Sequence, residues 1–323
     1  MHVLVTGATG LLGSVLTRQL VDDGATVRIF RRATSSLEAL GDYSAQVEHA
    51  TGDLRDVYAV QEAMHGITHV YHTAAVVPSG TLREETLHAV NVQGTAHVVD
   101  TARVAGVQRL VYTSSIAALG RHGDQTVSEE TVAAHAALSG YGQSKRAAER
   151  EVHRGIAEGL DAVIVNPSLM FGLGRPHENT RRIVELARRG WLRVVPPGGT
   201  GVVDARDVAA GHRRAMRHGA TGTRYILSSE NLSWHAIGRT LNAAFGQAPP
   251  RYTLPAAALH LTGRTAGLLA RVGLPTSALR DQARAATRRT RYSNRRAIEE
   301  LGCSFRPFAD TAAFLANALP SDT

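Results

Sequence analysis

At 323 residues, with 43% hydrophobic and 20% charged content, the chain is long and apolar enough to bury one large α/β domain or one plus a smaller lobe, which excludes disorder as its main state. Its formal net charge of +8 does not read as nucleic-acid binding, because the arginines are spread along the chain and no aromatic-and-basic motif accompanies them. A single cysteine, Cys303, leaves neither an internal disulfide nor a cysteine-based metal site, which fits a reducing, cytoplasmic setting.

The opening MHVLVTGATG passes straight into an apolar run and a glycine turn, leaving no room for the parts of a signal peptide. Short β-branched runs at Val3–Thr6, Thr26–Phe30, Val47–Ala50, His69–His72, Leu110–Thr113 and Ala162–Val165 are expected as strands. Helical patterns lie between them, the first over Leu11 to Val21. That alternation predicts parallel βαβ units with right-handed crossovers and helices on both faces, a doubly wound α/β sheet over residues 1–166. After Asn166 the pattern loosens. Turn clusters at Gly172–Pro176 and Pro196–Gly201 alternate with helical patterns at Asn179–Arg189, Trp234–Phe245, Pro255–Arg271 and Ser277–Arg289. Residues 167–323 are therefore expected to be mainly a smaller lobe, with some segments returning to the first domain. The low-charge stretch from Leu254 to Pro275 is interrupted by His260, Arg264 and Arg271, too polar for a membrane span of about 20 apolar residues. Arg280, Arg284, Arg288, Arg291 and Arg295 recur at spacings of three and four, which predicts one helix face, by default a solvated one.

Three places in this frame carry chemistry. Gly7, Gly10 and Gly13 follow the first strand and open the first helix, so backbone amides and the positive helix end can meet a pyrophosphate without side-chain obstruction. At the end of the second strand, where an acid would bind the adenosine ribose of NAD, stand Arg31 and Arg32; guanidinium groups there can take a 2′-phosphate, which favours NADP(H) over NAD(H). Tyr141 and Lys145, four apart in YGQSKRAAER, share one helix face. At roughly 5 Å and an effective dielectric near 20, the ammonium would favour the phenolate by about 3 kcal/mol, bringing the tyrosine pKa down by about two units. Lys145 is the only lysine among 36 Lys and Arg residues, as expected where a site needs a compact ammonium that arginine cannot replace. The fifteen histidines show no metal-ligand spacing, and Asp204 and Asp207 read as helix caps.

Taken with TGATGLLG (6–13), YTSSIAALG (112–120) and YGQSK (141–145), this pattern resembles the extended short-chain dehydrogenase/reductases of the epimerase/dehydratase superfamily. GDLRD (52–56), HTAA (72–75), NVQGT (91–95), NPSLMFGLG (166–174), VVDARDV (202–208) and LGCSFRPF (301–308) carry the resemblance over nearly the whole chain. It implies a Rossmann domain with a smaller substrate lobe, Tyr141 as general acid/base, Lys145 tuning it and holding the nicotinamide ribose, and Ser115 bonding the reacting oxygen. It places Gly7, Thr9, Gly10, Leu11, Leu12 and Gly13 at the pyrophosphate. Asp53 and Leu54 would flank the adenine, Thr73, Ala74 and Ala75 would lie beside the cofactor, and Asn166, Pro167 and Ser168 would approach the nicotinamide; Asn91 either touches the cofactor or orients the strand behind it.

Within the superfamily, VRIFRR (27–32) and SSENLSWHAIGRTL (228–241) resemble the dihydroflavonol 4-reductase-like group. The residues expected to face the substrate, Val77, Ile116, Ala117, Leu119, Leu169, Met170 and Trp191, are mostly apolar, which suits a ketone or aldehyde on an apolar, aromatic or alkyl small molecule. Arg175, Arg181 and Arg182 are the counter-indication, since they could bind an anion. The expectation is an NADPH-dependent reductase, with a sugar-nucleotide epimerase/dehydratase as the alternative. A non-catalytic dinucleotide sensor, which would usually lack the Tyr–Lys pair, comes third. The expected partner is a small-molecule substrate, with no nucleic acid and no membrane, for a monomer or homodimer.

Overall fold

The computed structural model describes residues 1–77, 84–120, 125–131, 138–174, 179–255 and 286–319. β1 (His2–Thr6) leads through α1 (Leu11–Asp22) to β2 (Thr26–Arg31), β3 (Glu48–Thr51), α2 (Val57–Met64) and β4 (His69–His72). A short helix, α3 (Glu84–Leu87), continues through a π-helical turn (His88–Gln93) into α4 (Gly94–Val104). There follow β5 (Arg109–Thr113), α5 (Ile116–Leu119), β6 (Thr126–Val127), α6 (Gly140–Ala157), β7 (Ala162–Pro167), β8 (Leu169–Phe171) and α7 (Asn179–Arg188). The rest comprises β9 (Val194–Val195), β10 (Gly199–Asp204), α8 (Ala205–His218), β11 (Arg224–Leu227), β12 (Glu230–Ser233), α9 (Trp234–Ala244), β13 (Tyr252–Thr253), β14 (Arg291–Tyr292), α10 (Arg295–Leu301) and α11 (Phe308–Ala318).

Seven strands form one parallel sheet in the order β11-β7-β5-β4-β1-β2-β3. Its central strands are covered on both faces and so read as unbroken apolar runs. Alternate residues of β1 show how: Val3 and Val5 join Leu12, Leu16 and Leu20 of α1 and Val208 of α8 on one face, while Leu4 joins Val60 of α2, Val98 of α4 and Val152 of α6 on the other. The strand order reverses between β1 and β4, and that switch point is where a doubly wound sheet opens a crevice for its ligand. All six expected strands are present, each shifted or extended by two residues at most.

The second half is built differently. β8 and β10 pair in parallel and β10 and β12 antiparallel, over a separate core of Phe171, Val184, Ile237, Leu241, Phe308 and Leu315. Between them the chain goes back: α8 packs on α1, and β11 adds to the main sheet with Ile226 opposite Asn166. The helical patterns expected at Asn179–Arg189 and Trp234–Phe245 are realised as α7 and α9. Those at Pro255–Arg271 and most of Ser277–Arg289 lie outside the described residues. The expected arginine face fails at Arg291, which sits in β14. Tyr292 is buried beside it, and the Asn231 amide accepts from the Tyr292 N–H at 2.8 Å and donates to its carbonyl at 2.9 Å, so the segment is held extended. Among the described residues, no helix is long and apolar enough to cross a membrane.

Candidate active site

The turn after β1 is dictated by space. Gly7 has φ of +73°, and a Cβ on it would lie 2.6 Å from the Ala74 nitrogen. A Cβ on Gly13 would lie 2.2 Å from the Gly7 carbonyl oxygen. Glycine is thus required at both, the first for the turn and the second for the helix to sit close behind it. Gly10 starts α1 without a side-chain cap, so the first-turn amides are available to an anion. Leu12 is buried in the core and the Leu11 side chain packs toward Gly172; of these two residues only the backbone can serve a cofactor.

This turn forms one end of a cavity of about 270 Å³ that also takes in Thr9, Arg31, Arg32, Asp53, Leu54, Thr73, Ala74 and Ala75. The structure therefore brings together most of the residues expected at the cofactor. Phe30, Ser35, Gly52, Val76 and Val90 line it as well and were missed, because their contribution depends on which loops meet at the switch point. Arg32 is exposed at the rim. Arg31 is half-buried and donates through Nε to His49 Nδ1 at 3.1 Å. The Arg55 guanidinium, donating to both Asp53 oxygens at 2.9 and 2.8 Å, holds that carboxyl down at about 2. The glycine cradle and the uncapped helix fit the pyrophosphate of a dinucleotide.

The second part of the site is carried by α6. Ser139 caps it, accepting from the Gly142 N–H at 3.1 Å. A Cβ on Gly142 would come within 2.4 Å of the Ala117 carbonyl oxygen, and this close approach sets Tyr141 against Ser115, whose hydroxyl is hydrogen-bonded with the phenol. Lys145, almost wholly buried, donates from Nζ to the Thr113 carbonyl at 2.6 Å and lies 4.6 Å above the Tyr112 ring. The electrostatics depart from the expectation. Burial pushes Tyr141 up to about 12, against the Ser115 hydrogen bond, and pushes Lys145 down to about 7 against the pull of Glu149. Desolvation outweighs the attraction expected between ammonium and phenolate because Lys145 is buried, Tyr141 is half-buried and the amine is turned toward Thr113.

Several expected contacts are corrected. Asn91, buried in the π-helical turn, accepts from the Val76 N–H at 2.8 Å and donates to the Val76 carbonyl at 3.0 Å and to Ser144 Oγ at 3.1 Å. Its amide is committed to positioning the segment after β4, not to the cofactor. Asn166, Pro167 and Ser168 are buried along and just after β7. The Asn166 amide donates to the Ser115 carbonyl at 3.1 Å and to Glu149 Oε1 at 2.8 Å, so it supports Ser115 from behind. Leu119 is 2% exposed in a core cluster with Val127, Ile226 and Tyr292 and cannot wall a substrate site. Val77 is exposed, and Ile116, Ala117, Leu169 and Met170 are half-buried. Trp191 is 65% exposed, with the Arg189 guanidinium 5.4 Å from its ring. Arg181 is half-buried, Arg182 is exposed, and Arg175 lies outside the described residues. Asp204 caps α8 as expected, accepting from the Arg206 N–H at 2.7 Å, but Asp207 instead accepts from the Arg306 N–H at 2.8 Å and closes the loop before α11. Among the described residues no three His, Cys, Asp or Glu side chains gather as a metal site.

A buried relay missed by sequence reasoning ties both parts together. The Thr6 hydroxyl and His72 Nδ1 are 2.7 Å apart, His72 Nε2 and the Thr95 hydroxyl 3.0 Å, and Thr95 donates to the Asn91 carbonyl at 2.6 Å. Burial and the Lys145 charge lower His72 to about 3, so it stays neutral.

Residues 3–228 match the NAD dependent epimerase/dehydratase family. The chain is 38% identical over 258 residues to sterol demethylase protein B of Methylococcus capsulatus, covering 79% of this chain and 78% of that one. It is 34% identical over 307 residues to a Synechocystis protein named for dihydroflavonol 4-reductase, covering 92% and 88%. The crystal structure of gox2253 superposes with a TM-score of 0.87 at 30% identity over 99% of both chains. With the family match spanning both the glycine turn and the Tyr141–Lys145 helix, the chain belongs to the NAD dependent epimerase/dehydratase family, the extended short-chain dehydrogenase/reductases, and is an NAD(P)-dependent oxidoreductase.

Proposed function

We propose that the protein is an NADPH-dependent reductase of a ketone or aldehyde on a mostly apolar small molecule. The observation that carries this reading is the cavity rim at the end of β2, where Arg31, Arg32 and Ser35 converge and the nearest carboxylate, Asp53, is already held by Arg55. A 2′-phosphate finds charge-assisted donors there, and among the described lining residues no free acid repels it. The names of the two relatives point to a sterol and a dihydroflavonol, both ring frameworks of the kind that half-buried Ile116, Leu169 and Met170 suit.

A nicotinamide cofactor held by the Gly7–Gly13 turn and the cavity beside it would supply the hydride for the carbonyl carbon. The Tyr141 hydroxyl delivers the proton to the carbonyl oxygen, so that one hydride and one proton convert C=O to CH–OH. The Ser115 hydroxyl, fixed by Asn166 through its own backbone carbonyl, holds that oxygen. Lys145, one helical turn from Tyr141, stabilises the phenolate left behind and holds the ribose. A tyrosine at about 12 is a strong proton holder, and the Ser115 hydrogen bond and a positive charge one helical turn away favour release.

The test is NADPH absorbance with aryl and alkyl carbonyl compounds, run beside sugar nucleotides. Net NADPH oxidation with an apolar carbonyl compound is expected, with little nucleotide retained on purification. Copurified NAD⁺ with sugar-nucleotide interconversion and no net NADPH loss would overturn the reading in favour of an epimerase.

A further inference from the structure

Tyr141 and Lys145 continue into a third chemical group on the same face of α6. Glu149 lies one turn beyond Lys145 and His153 one turn beyond that. Glu149 is 1% exposed, although a carboxylate is seldom buried without a partner or a purpose. Its Oε1 accepts from Asn166 Nδ2 at 2.8 Å, and its Oε2 lies 2.9 Å from the Arg224 guanidinium of β11.

We propose, resting on the reductase reading above, that Glu149 is a positioning residue for Lys145: its carboxylate keeps the buried amine an ammonium at neutral pH, the form that acts on Tyr141. The groups around the lysine make this charge necessary. Glu149 acts on it from α6, where Tyr141 lies one turn before it, the neutral His72 faces it from β4, and the face of Tyr112 and the Thr113 carbonyl face it from β5. Glu149 is the one anion in that shell among the described residues. Facing Glu149 in turn are Asn166, Arg224, His153 and the Tyr112 hydroxyl. Burial lowers Lys145 to about 7 even with Glu149 opposing it, so loss of the carboxylate leaves the amine neutral over much of the physiological range. Arg224 lies against the carboxylate at 2.9 Å and covers its far side.

Because Lys145 is the chain's only lysine, ¹³Cε-lysine labelling of the full chain gives one side-chain NMR signal, and its pH midpoint is a direct reading that needs no substrate. In Glu149→Gln the amide oxygen still accepts from Asn166, so only the charge is removed. The midpoint is expected to fall by about one to two pH units, and to stay near the wild-type value in Glu149→Asp. The double variant Glu149→Gln with Arg224→Gln leaves no unpaired cation beside the site and is expected to titrate below wild type as well. An unchanged midpoint in Glu149→Gln, or a wild-type midpoint in the double variant, overturns the proposal. The alkaline limb of NADPH oxidation should move down with the NMR midpoint. An NMR shift without that movement supports the Glu149 assignment and removes the reductase role of Lys145.

Discussion

The two halves of the site are made in opposite ways. The turn of Gly7, Gly10 and Gly13 is backbone: it works by leaving side chains out, and its tolerances are the 2.6 and 2.2 Å approaches that forbid a Cβ. The α6 half is side chain: Tyr141 is half-buried and Lys145 and Glu149 are buried, and their properties follow from burial and the groups around them. On the proposed function, the first half governs whether a cofactor binds and the second what happens to a proton once it has. A change in either half should leave the other's reading intact.

The largest separation is expected from Tyr141→Phe. The ring and its packing stay and only the transferable proton goes, so turnover should fall by about 10² to 10⁴-fold while the NADPH dissociation constant, measured by fluorescence titration, changes little. Turnover close to wild type would remove Tyr141 from the chemistry. The converse break is Gly7→Val. A β-branched residue at φ of +73° against Ala74 combines about 1–2 kcal/mol of backbone strain with about 1–3 kcal/mol of overpacking. The melting temperature and the cofactor affinity should fall together, and retained NADPH binding would show that the turn does not hold the pyrophosphate.

The same contrast decides what could be read before the fold was known. The glycine turn and the central strands are local: the run from Val3 is apolar because both faces of β1 are covered, and the helix after it starts directly after Gly10. The relation of Tyr141 to Lys145 is local too, four residues on one helix. What sequence could not reveal is long-range. Asn91 reaches Val76 and Ser144, Asn166 reaches Ser115 and Glu149, and β11 returns to the sheet after an excursion through α8. Spacing also misled where burial decides: Leu119 sits in the apolar run expected to face substrate but points into the core, and Arg291 keeps a helical spacing inside a strand fixed by Asn231.

A smaller effect sharpens the electrostatic side of the comparison. His72 and His212 are fully buried and burial lowers them to about 3 and about 4. Burial keeps His212 neutral against the Val208 carbonyl, which lies 2.8 Å from Nδ1 and raises its pKa, while the Thr113 hydroxyl lies 2.7 Å from Nε2. Both folded values lie below the unfolded one of about 6.5, so the unfolded chain binds more protons as pH falls through that window. Stability is full above about 6.5 and is lost toward 4, by about 2 kcal/mol per histidine at a pH near 5. Denaturant melts across that range should show the slope, and His212→Gln should reduce it; a flat profile would mean that these histidines are charged in the folded state.

The smallest expected effect tests the cofactor rim, the one place where the backbone-built half depends on charge. Arg31 is partly engaged by His49 at 3.1 Å, whereas Arg32 is exposed and lies close enough to Asp53 to stabilise its carboxylate. Arg32 is thus the more adjustable of the two for a 2′-phosphate. A hydrogen bond to a charged group is worth about 1.5–3 kcal/mol when enclosed, but at an exposed rim solvent and salt screen much of it. The wild-type preference for NADPH over NADH should accordingly be about tenfold at moderate salt and should narrow as ionic strength rises. Arg32→Asp replaces a donor by a like charge and is expected to weaken NADPH by about that factor or more while NADH binds as well or better, since a carboxylate can accept from both ribose hydroxyls. Equal affinity of the wild type for the two cofactors at low salt would show that Arg31 and Arg32 do not select a phosphate, leaving the glycine turn as a dinucleotide site without a 2′ preference.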